Sequence, residues 1–161
     1  MTFVVPFDGS TLSEAALARA VEYGDALGQE VVAVSVVPER KRFAREKGWI
    51  GEEEAFDVDA AVETLRERVA DVAPDVAFEA ERIREYPPPE ELADRVEQLA
   101  LAHDPTVLFV GSENVGRIVT PLASVGAQVS DDPTYDVYLV RSAEPRAIAG
   151  LDAAADDRED V

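Results

Sequence analysis

The 161-residue sequence contains no cysteine and only one histidine, His103. The lack of cysteine excludes disulfides and thiolate metal sites, and one imidazole cannot form a histidine cluster for zinc. A Ser-His-Asp triad would have to use His103, but no motif specifies its serine and acid partners. Because His103 precedes Asp104-Pro105 at a helix end, we expect a solvent-facing capping role. The sequence therefore predicts neither a metal site nor a catalytic triad.

Long apolar runs are also absent. No stretch reaches the ~20 residues that a membrane-spanning helix needs. The first strand pattern begins at residue 3 without a preceding basic segment, so we expect no signal peptide. These features favour a soluble, cytoplasmic protein with no membrane partner, and the length fits one domain.

Basic residues are scarce: 15 Lys and Arg face 34 Asp and Glu, for a net charge of −19. This charge disfavours a nucleic-acid partner, which needs a broad basic face. It suits either a cationic partner or a salty cytoplasm, where carboxylates keep a protein hydrated and salt screens their repulsion. Only Lys41 and Lys47 are lysines, and acidic residues are spread along the whole chain. Both observations favour a halophilic protein.

The sequence does show alternating strand and helix patterns. Residues 31–37 form an almost purely apolar, β-branched run, which is typical of a strand covered on both faces. Residues 76–81 alternate apolar and less apolar positions, which indicates an edge strand. Strands are predicted at 3–7, 31–37, 76–81, 106–110 and 135–141, and helices at 11–27, 58–72, 87–100 and about 122–130. This order predicts an α/β fold: a single doubly wound, five-stranded parallel sheet with helices on both faces.

Local signals mark the first helix and the chain's end. Thr11 and Glu14 have the spacing of a capping box, and Gly28 is expected to end the same helix. Residues 143–161 are rich in alanine and acidic residues. We therefore predict a folded domain over residues 1–142 and an acidic, disordered tail over 143–161.

Ligands of doubly wound sheets bind beyond the carboxyl ends of the strands, where the strand order reverses. The relevant segments here are 6–10, 36–37 and 111–117. Gly111 and Gly116 have the glycine spacing of a P-loop, but Arg117 and Ile118 replace its lysine and its Ser/Thr. The segment also follows the fourth strand rather than the first. A P-loop is therefore rejected, and no dinucleotide-binding glycine pattern is present.

The order of several short segments resembles the universal stress protein family. These segments are Val-Pro-Phe-Asp-Gly-Ser at 5–10, the apolar strand ending at 35–37, the helix start at 88–92, the strand end at 108–112 and the final strand at 137–140. The resemblance covers roughly residues 2–142. It implies a five-stranded parallel α/β sheet, a homodimer and, in many members, ATP binding.

The family's ATP-binding members carry three glycines and a hydroxyl residue in the phosphate loop. Gly111 matches the first glycine, and the second falls on Asn114. Strict counting puts the third on Ser124 and the hydroxyl position on Val125, whereas a one-residue deletion puts them on Ala123 and Ser124. Two of three glycines are missing either way, although glycine permits the close backbone approach that phosphate binding uses. Gly116 and Arg117 offer a rearranged loop some flexibility and a positive charge.

The adenosine side of the resemblance is better preserved. Asp8 matches the acidic residue that faces the ribose and adenine, and Val36 matches the position whose backbone faces adenine. Structural roles are also open for both: Asp8 can orient a turn, and Val36 can be core. The residues predicted to line the nucleotide site are Pro6, Phe7, Asp8, Val36, Gly111, Ser112, Asn114, Gly116, Arg117, Ala123, Ser124 and Val125.

Residues 40–47 contain five basic residues, and the only tryptophan, Trp49, follows them. One interpretation is an anion site, a partner site or a lid over the cleft. The favoured one is a charged helical connection that pairs with its own acids, anchored by Trp49 and Phe56. Surface pairs of this kind contribute only ~0–1 kcal/mol each.

The sequence thus predicts a regulatory or stress-response binding protein that takes an adenine nucleotide, ATP or AMP, at strands one, two and four. The alternative is a homodimeric protein-interaction module that has lost the phosphate loop and binds an unknown protein partner. The resemblance implies that the dimer forms through the last-strand region, residues 135–141, and an apolar edge strand does need a cover of some kind. No general base accompanied by a metal-binding pair is evident, so enzymatic activity is not expected.

Overall fold

The computed structural model describes residues 1–51, 55–83, 88–112 and 135–144. Its elements are β1 (Thr2–Pro6), α1 (Thr11–Leu27), β2 (Glu30–Pro38), α2 (Lys41–Glu46), α3 (Val58–Val72), β3 (Ala77–Ile83), α4 (Pro89–Leu101), β4 (Pro105–Gly111) and β5 (Asp136–Val140). The helix predicted at about 122–130 and the tail from residue 145 onward lie outside the described residues.

The five strands form one parallel sheet in the order β3-β2-β1-β4-β5. The predicted α/β fold class is confirmed. The chain builds outward from β1 to β2 and β3, then returns to place β4 on the other side of β1. The strand order therefore reverses between β1 and β4. Such folds bind ligands in the crevice beyond the carboxyl ends of the strands, at the point of reversal.

Helices cover both faces of the sheet because successive strand residues point to opposite faces. Ala33 and Val37 of β2 belong to the core under α1 and α3, whereas Val34 and Val36 belong to the core under α4. The β2 run is therefore buried on both faces, as its apolar sequence predicts. The edge strand β3 alternates exposed and half-buried residues over most of its length, as predicted.

The start of α1 differs from the sequence prediction by one residue. Ser10, not Thr11, is the N-cap: its backbone is extended, and its Oγ accepts a hydrogen bond from the Ser13 backbone N at 3.2 Å. The capping box at Thr11 and Glu14 was therefore wrong, because Thr11 already lies within the helix. The C-terminal prediction is confirmed: Gly28 has a left-handed backbone, with φ of 67°.

Ser10→Ala is expected to lower the free energy of unfolding by about 1 kcal/mol, because it removes the acceptor of a helix-start N–H. Thr11→Ala is the matched control and should change it by less than about 0.5 kcal/mol, since Thr11 is an exposed position without the capping role. Urea unfolding of both variants measures the difference. Equal effects at the two positions would contradict the Ser10 cap.

None of the described helices is long and apolar enough to cross a membrane. Within the same residues, no group of three or more His, Asp or Glu side chains is placed to hold a metal ion.

Candidate functional site

A pocket opens at the carboxyl ends of β1 and β2. Its cavity volume is about 60 Å³. The lining comes from the strand ends, the segment after β2 and one face of α4: Pro6, Phe7, Asp8, Val34, Ser35, Val36, Phe43, Lys47, Trp49, Leu92, Ala93 and Val96.

Asp8 is the acidic group of this pocket. Its Oδ1 accepts from the Ser10 backbone N at 2.9 Å, and its Oδ2 accepts from Lys47 Nζ at 2.8 Å. Burial alone would raise the pKa of the Asp8 carboxyl. The hydrogen bonds from Lys47 and Ser10, together with the Lys47 charge, outweigh burial and lower that pKa to about 2. Asp8 is therefore ionised near neutral pH, although its side chain is only 18% exposed.

Residues 41–50, here called the strap, leave β2 and return across the end of β1. Phe43 and Trp49 are buried and pack edge to face, with ring centroids 5.5 Å apart. The Trp49 Nε1–H donates to the Asp8 backbone O at 2.7 Å. Gly48 permits the turn with a φ of 72°, and its carbonyl accepts from Arg68 Nη2 at 2.7 Å. The strap is thus a packed wall of the pocket on its β1 side.

The sequence analysis favoured local pairing for the basic residues of this segment. That interpretation holds for Arg42, which pairs with Glu46 one helical turn away. It is wrong for Lys47, which pairs with Asp8 across 39 positions of the chain. The anchoring role predicted for Trp49 and Phe56 is confirmed, since both pack against the core. His103 lies just after α4 with its side chain partly exposed, and its Nε2 contacts the Glu79 carboxylate of β3.

The structure brings four of the predicted site residues together: Pro6, Phe7, Asp8 and Val36 all line the pocket. Gly111 and Ser112 follow at the end of β4. The other predicted positions lie outside the described residues; these are Asn114, Gly116, Arg117, Ala123, Ser124 and Val125.

Sequence reasoning did not assign Ser35, Lys47 or the α4 side chains to the site. Ser35 Oγ donates to the Phe7 carbonyl and ties the ends of β1 and β2 together beneath the pocket. The only sequence feature that pointed to Lys47 was the basic segment before Trp49, and that segment did not indicate which of its five basic residues lines the pocket. The helical spacing of Leu92 and Val96 predicts core packing, and the structure shows that the same face of α4, with Ala93, also lines the pocket.

A family model for universal stress proteins matches residues 1–141, nearly the whole described chain. This chain belongs to the universal stress protein family. The resemblance inferred from the segment order is therefore confirmed at the level of the family.

Comparison with solved structures finds several members of this family that are similar to the chain. A Burkholderia pseudomallei family protein is 18% identical, with 88% of this chain and 96% of that chain covered and a TM-score of 0.50. A universal stress protein in complex with cAMP is 23% identical over 88% and 97%, with a TM-score of 0.43. One from Archaeoglobus fulgidus in complex with dAMP is 19% identical over 87% and 96%, with a TM-score of 0.41. No curated protein sequence matches the chain.

Gly111, which the sequence analysis matched to the first glycine of the family's phosphate loop, has a packing role in this universal stress protein. A Cβ at position 111 would lie 2.9 Å from the Leu12 backbone carbon and 3.0 Å from the Leu12 O. Both are backbone atoms of the first turn of α1, so they cannot move without shifting the helix. The close approach of β4 to α1 therefore requires glycine here, whatever the loop binds.

Gly111→Ala is accordingly expected to lower the free energy of unfolding by about 1–3 kcal/mol, the usual cost of overpacking. Gly28→Ser is a useful comparison: the C-cap has open space around it, so its cost arises from its left-handed backbone alone. Thermal and urea unfolding without any nucleotide measure both. A Gly111→Ala protein of wild-type stability would contradict the packing role.

Proposed function

We propose that this universal stress protein binds an adenine nucleotide in the pocket at the carboxyl ends of β1 and β2. Asp8 would accept hydrogen bonds from the ribose hydroxyls, and the base would lie beside Val36. The observation that carries the proposal is the ionised Asp8 in an otherwise largely apolar pocket at the carboxyl ends of β1 and β2, beside the point between β1 and β4 where the strand order reverses.

The chemistry of the pocket suits a nucleoside. A carboxylate oxygen has two lone pairs, so Asp8 can accept from ligand hydroxyls while it keeps its Ser10 bond. Val36, Leu92 and Val96 supply apolar surface for a flat base. Apolar walls with a few fixed polar groups are typical of small-molecule sites.

Family proteins are generally regulatory or stress-response proteins. We propose such a role in the cytoplasm for this chain, without catalysis. Gly111 and the loop after it would hold the phosphates through Ser112, Asn114, Gly116, Arg117 and Ser124. The alternative is an interaction module without nucleotide, favoured by the replacement of two loop glycines by Asn114 and Ala123.

Titration of AMP, ADP and ATP, with and without magnesium, tests the proposal. Trp49 is the only tryptophan and lines the pocket, so its fluorescence reports occupancy in parallel with calorimetry. We expect micromolar binding of at least AMP, weakened about tenfold or more by Asp8→Ala. Asp71→Ala removes an exposed carboxylate elsewhere and is the matched control.

Each pattern of binding has a distinct meaning. Binding of AMP but not ATP would indicate an adenosine pocket beside a loop that cannot hold a triphosphate. Comparable or tighter ATP binding would indicate a working phosphate loop despite the missing glycines. No binding of any nucleotide would support the interaction module instead.

We further propose a homodimer through β5. Val137 and Leu139 lie on one face of this edge strand and are 37% and 42% exposed. A paired copy would cover this apolar edge. Sedimentation equilibrium should show a dimer that Leu139→Lys converts to a monomer, and an unchanged dimer in that variant would contradict the contact.

The remaining proposals concern salt and domain limits. A net charge of −19 with only two lysines suits a halophilic protein, so the melting temperature should rise strongly from low to multimolar KCl. Equal melting temperatures would contradict halophily.

The folded domain is proposed to end near residue 142, and limited proteolysis should trim the 143–161 tail while leaving the domain intact.

A further inference from the structure

We infer that Lys47 selects a phosphorylated ligand over its uncharged nucleoside, by acting as the pocket's own anion-binding residue. The inference rests on the proposed nucleotide function. It assigns a specificity-determining role to the strap, separate from the glycine-poor loop after β4.

Lys47 and Asp8 are the only two charged residues among the described residues that line the pocket. They lie 2.8 Å apart, with side chains 24% and 18% exposed, and so balance each other's charge. The Asp8 bond uses one of the three N–H donors of the ammonium group. Lys47 Nζ also lies 5.8 Å from the Phe43 ring centroid, so the ring flanks the cation.

A nucleoside disturbs this balance. Its hydroxyls compete with Lys47 for the lone pairs of Asp8 Oδ2, which weakens the hydrogen bond that holds the ammonium group in a partly buried, mostly apolar pocket, and the uncharged ligand offers that ammonium no anion in exchange. The phosphate of a nucleotide is itself an anion, so Lys47 can pair with it while the ribose hydroxyls hydrogen-bond to Asp8. The pocket therefore favours the charged nucleotide over the uncharged nucleoside, although the loop after β4 lacks two of the family's glycines.

The position of Lys47 is fixed by its neighbours. Phe43 and Ala44 precede it and Trp49 and Ile50 follow it, and all four are buried in the core. By contrast, Arg42 on the same strap is 78% exposed and pairs with Glu46. Among the basic residues of the strap, only Lys47 lines the pocket. The preference for a phosphorylated ligand is therefore assigned to Lys47 and not to the total charge of the strap.

The test compares AMP with adenosine by calorimetry, at the lowest salt in which the protein stays folded. We expect wild-type protein to bind AMP at least about tenfold more tightly than adenosine. Lys47→Met should weaken AMP about tenfold and adenosine less than about threefold, and Lys47→Arg should restore much of the preference. Arg42→Met is the matched control and should leave both affinities unchanged.

Several results would overturn the inference. Equal wild-type affinities for AMP and adenosine would do so while leaving the proposed nucleotide function in place. Equal weakening of both ligands in Lys47→Met would assign Lys47 a structural role only. Binding of neither ligand to wild-type protein would overturn the proposed function and the inference with it. Rising salt should also erode AMP binding more than adenosine binding, a comparison that needs no variant.

Discussion

Trp49→Ala is expected to lower the free energy of unfolding by about 3–5 kcal/mol, the range for removing a buried aromatic side chain. Trp49 is 4% exposed and packs against Phe43 in the core under α1 and α3. Its removal leaves a cavity at the pocket wall and an Asp8 carbonyl without its Nε1–H donor. Urea unfolding followed by circular dichroism measures the loss without relying on tryptophan fluorescence.

Two further variants show whether the packing of Trp49 or its hydrogen bond accounts for the loss of stability. Trp49→Phe keeps most of the packing but loses the hydrogen bond, so we expect a cost of about 1–2 kcal/mol. Leu27→Ala removes a large apolar side chain that is exposed, and it should cost less than about 0.5 kcal/mol. If Trp49→Ala were as stable as Leu27→Ala, the strap would not be part of the folded core, and its role as a pocket wall would fail.

Asp8→Asn is expected to remove about 2 kcal/mol of pH-dependent stability. The pKa of Asp8 falls from 3.8 to about 2 on folding, because its contacts with Lys47 and Ser10 outweigh burial. A depressed folded-state pKa contributes stability that is fully present above the unfolded value and is lost as pH falls through the folded value. The wild-type advantage over Asp8→Asn should therefore shrink by about 2 kcal/mol between about pH 6 and pH 2.

Both proteins carry the same remaining carboxylates, so the difference between their stabilities isolates Asp8. Asp71→Asn removes one exposed negative charge and controls for net charge. Lys47→Met removes the partner, so adding Asp8→Asn to that background should leave a much smaller pH-dependent difference. If the difference in free energy of unfolding between wild type and Asp8→Asn did not change with pH, the ion pair of Asp8 with Lys47 would be contradicted, even if that difference were large at pH 7.

Both variants probe one unit of structure, in which the strap, Asp8 and the end of β1 support each other. Asp8 holds Lys47, and its carbonyl holds Trp49. Ligand affinity and stability are therefore expected to be coupled at this site. An Asp8→Ala protein should be assayed for nucleotide binding only where unfolding measurements show it to be folded.

The sequence by itself determined the architecture and the family. The apolar run of β2, the helical spacing of Val62, Leu65 and Val69, and the alternation along β3 are short-range patterns set by burial of one or two faces. Such patterns repeat within a few residues, so they can be interpreted without knowing the neighbours. The same reasoning placed Asp8 and Val36 at one edge of the sheet, since parallel strands end on the same side.

The tertiary structure decided which residues meet there. The pairing of Lys47 with Asp8 and the contact of Gly111 with Leu12 join positions far apart in the chain, and no local period encodes them. The choice of Ser10 over Thr11 as the cap depends on which residue takes the extended backbone, which the preceding turn sets. Long-range packing selects one cation from the five in residues 40–47 to face Asp8. The composition of that segment favoured local pairing, so it did not indicate this contact.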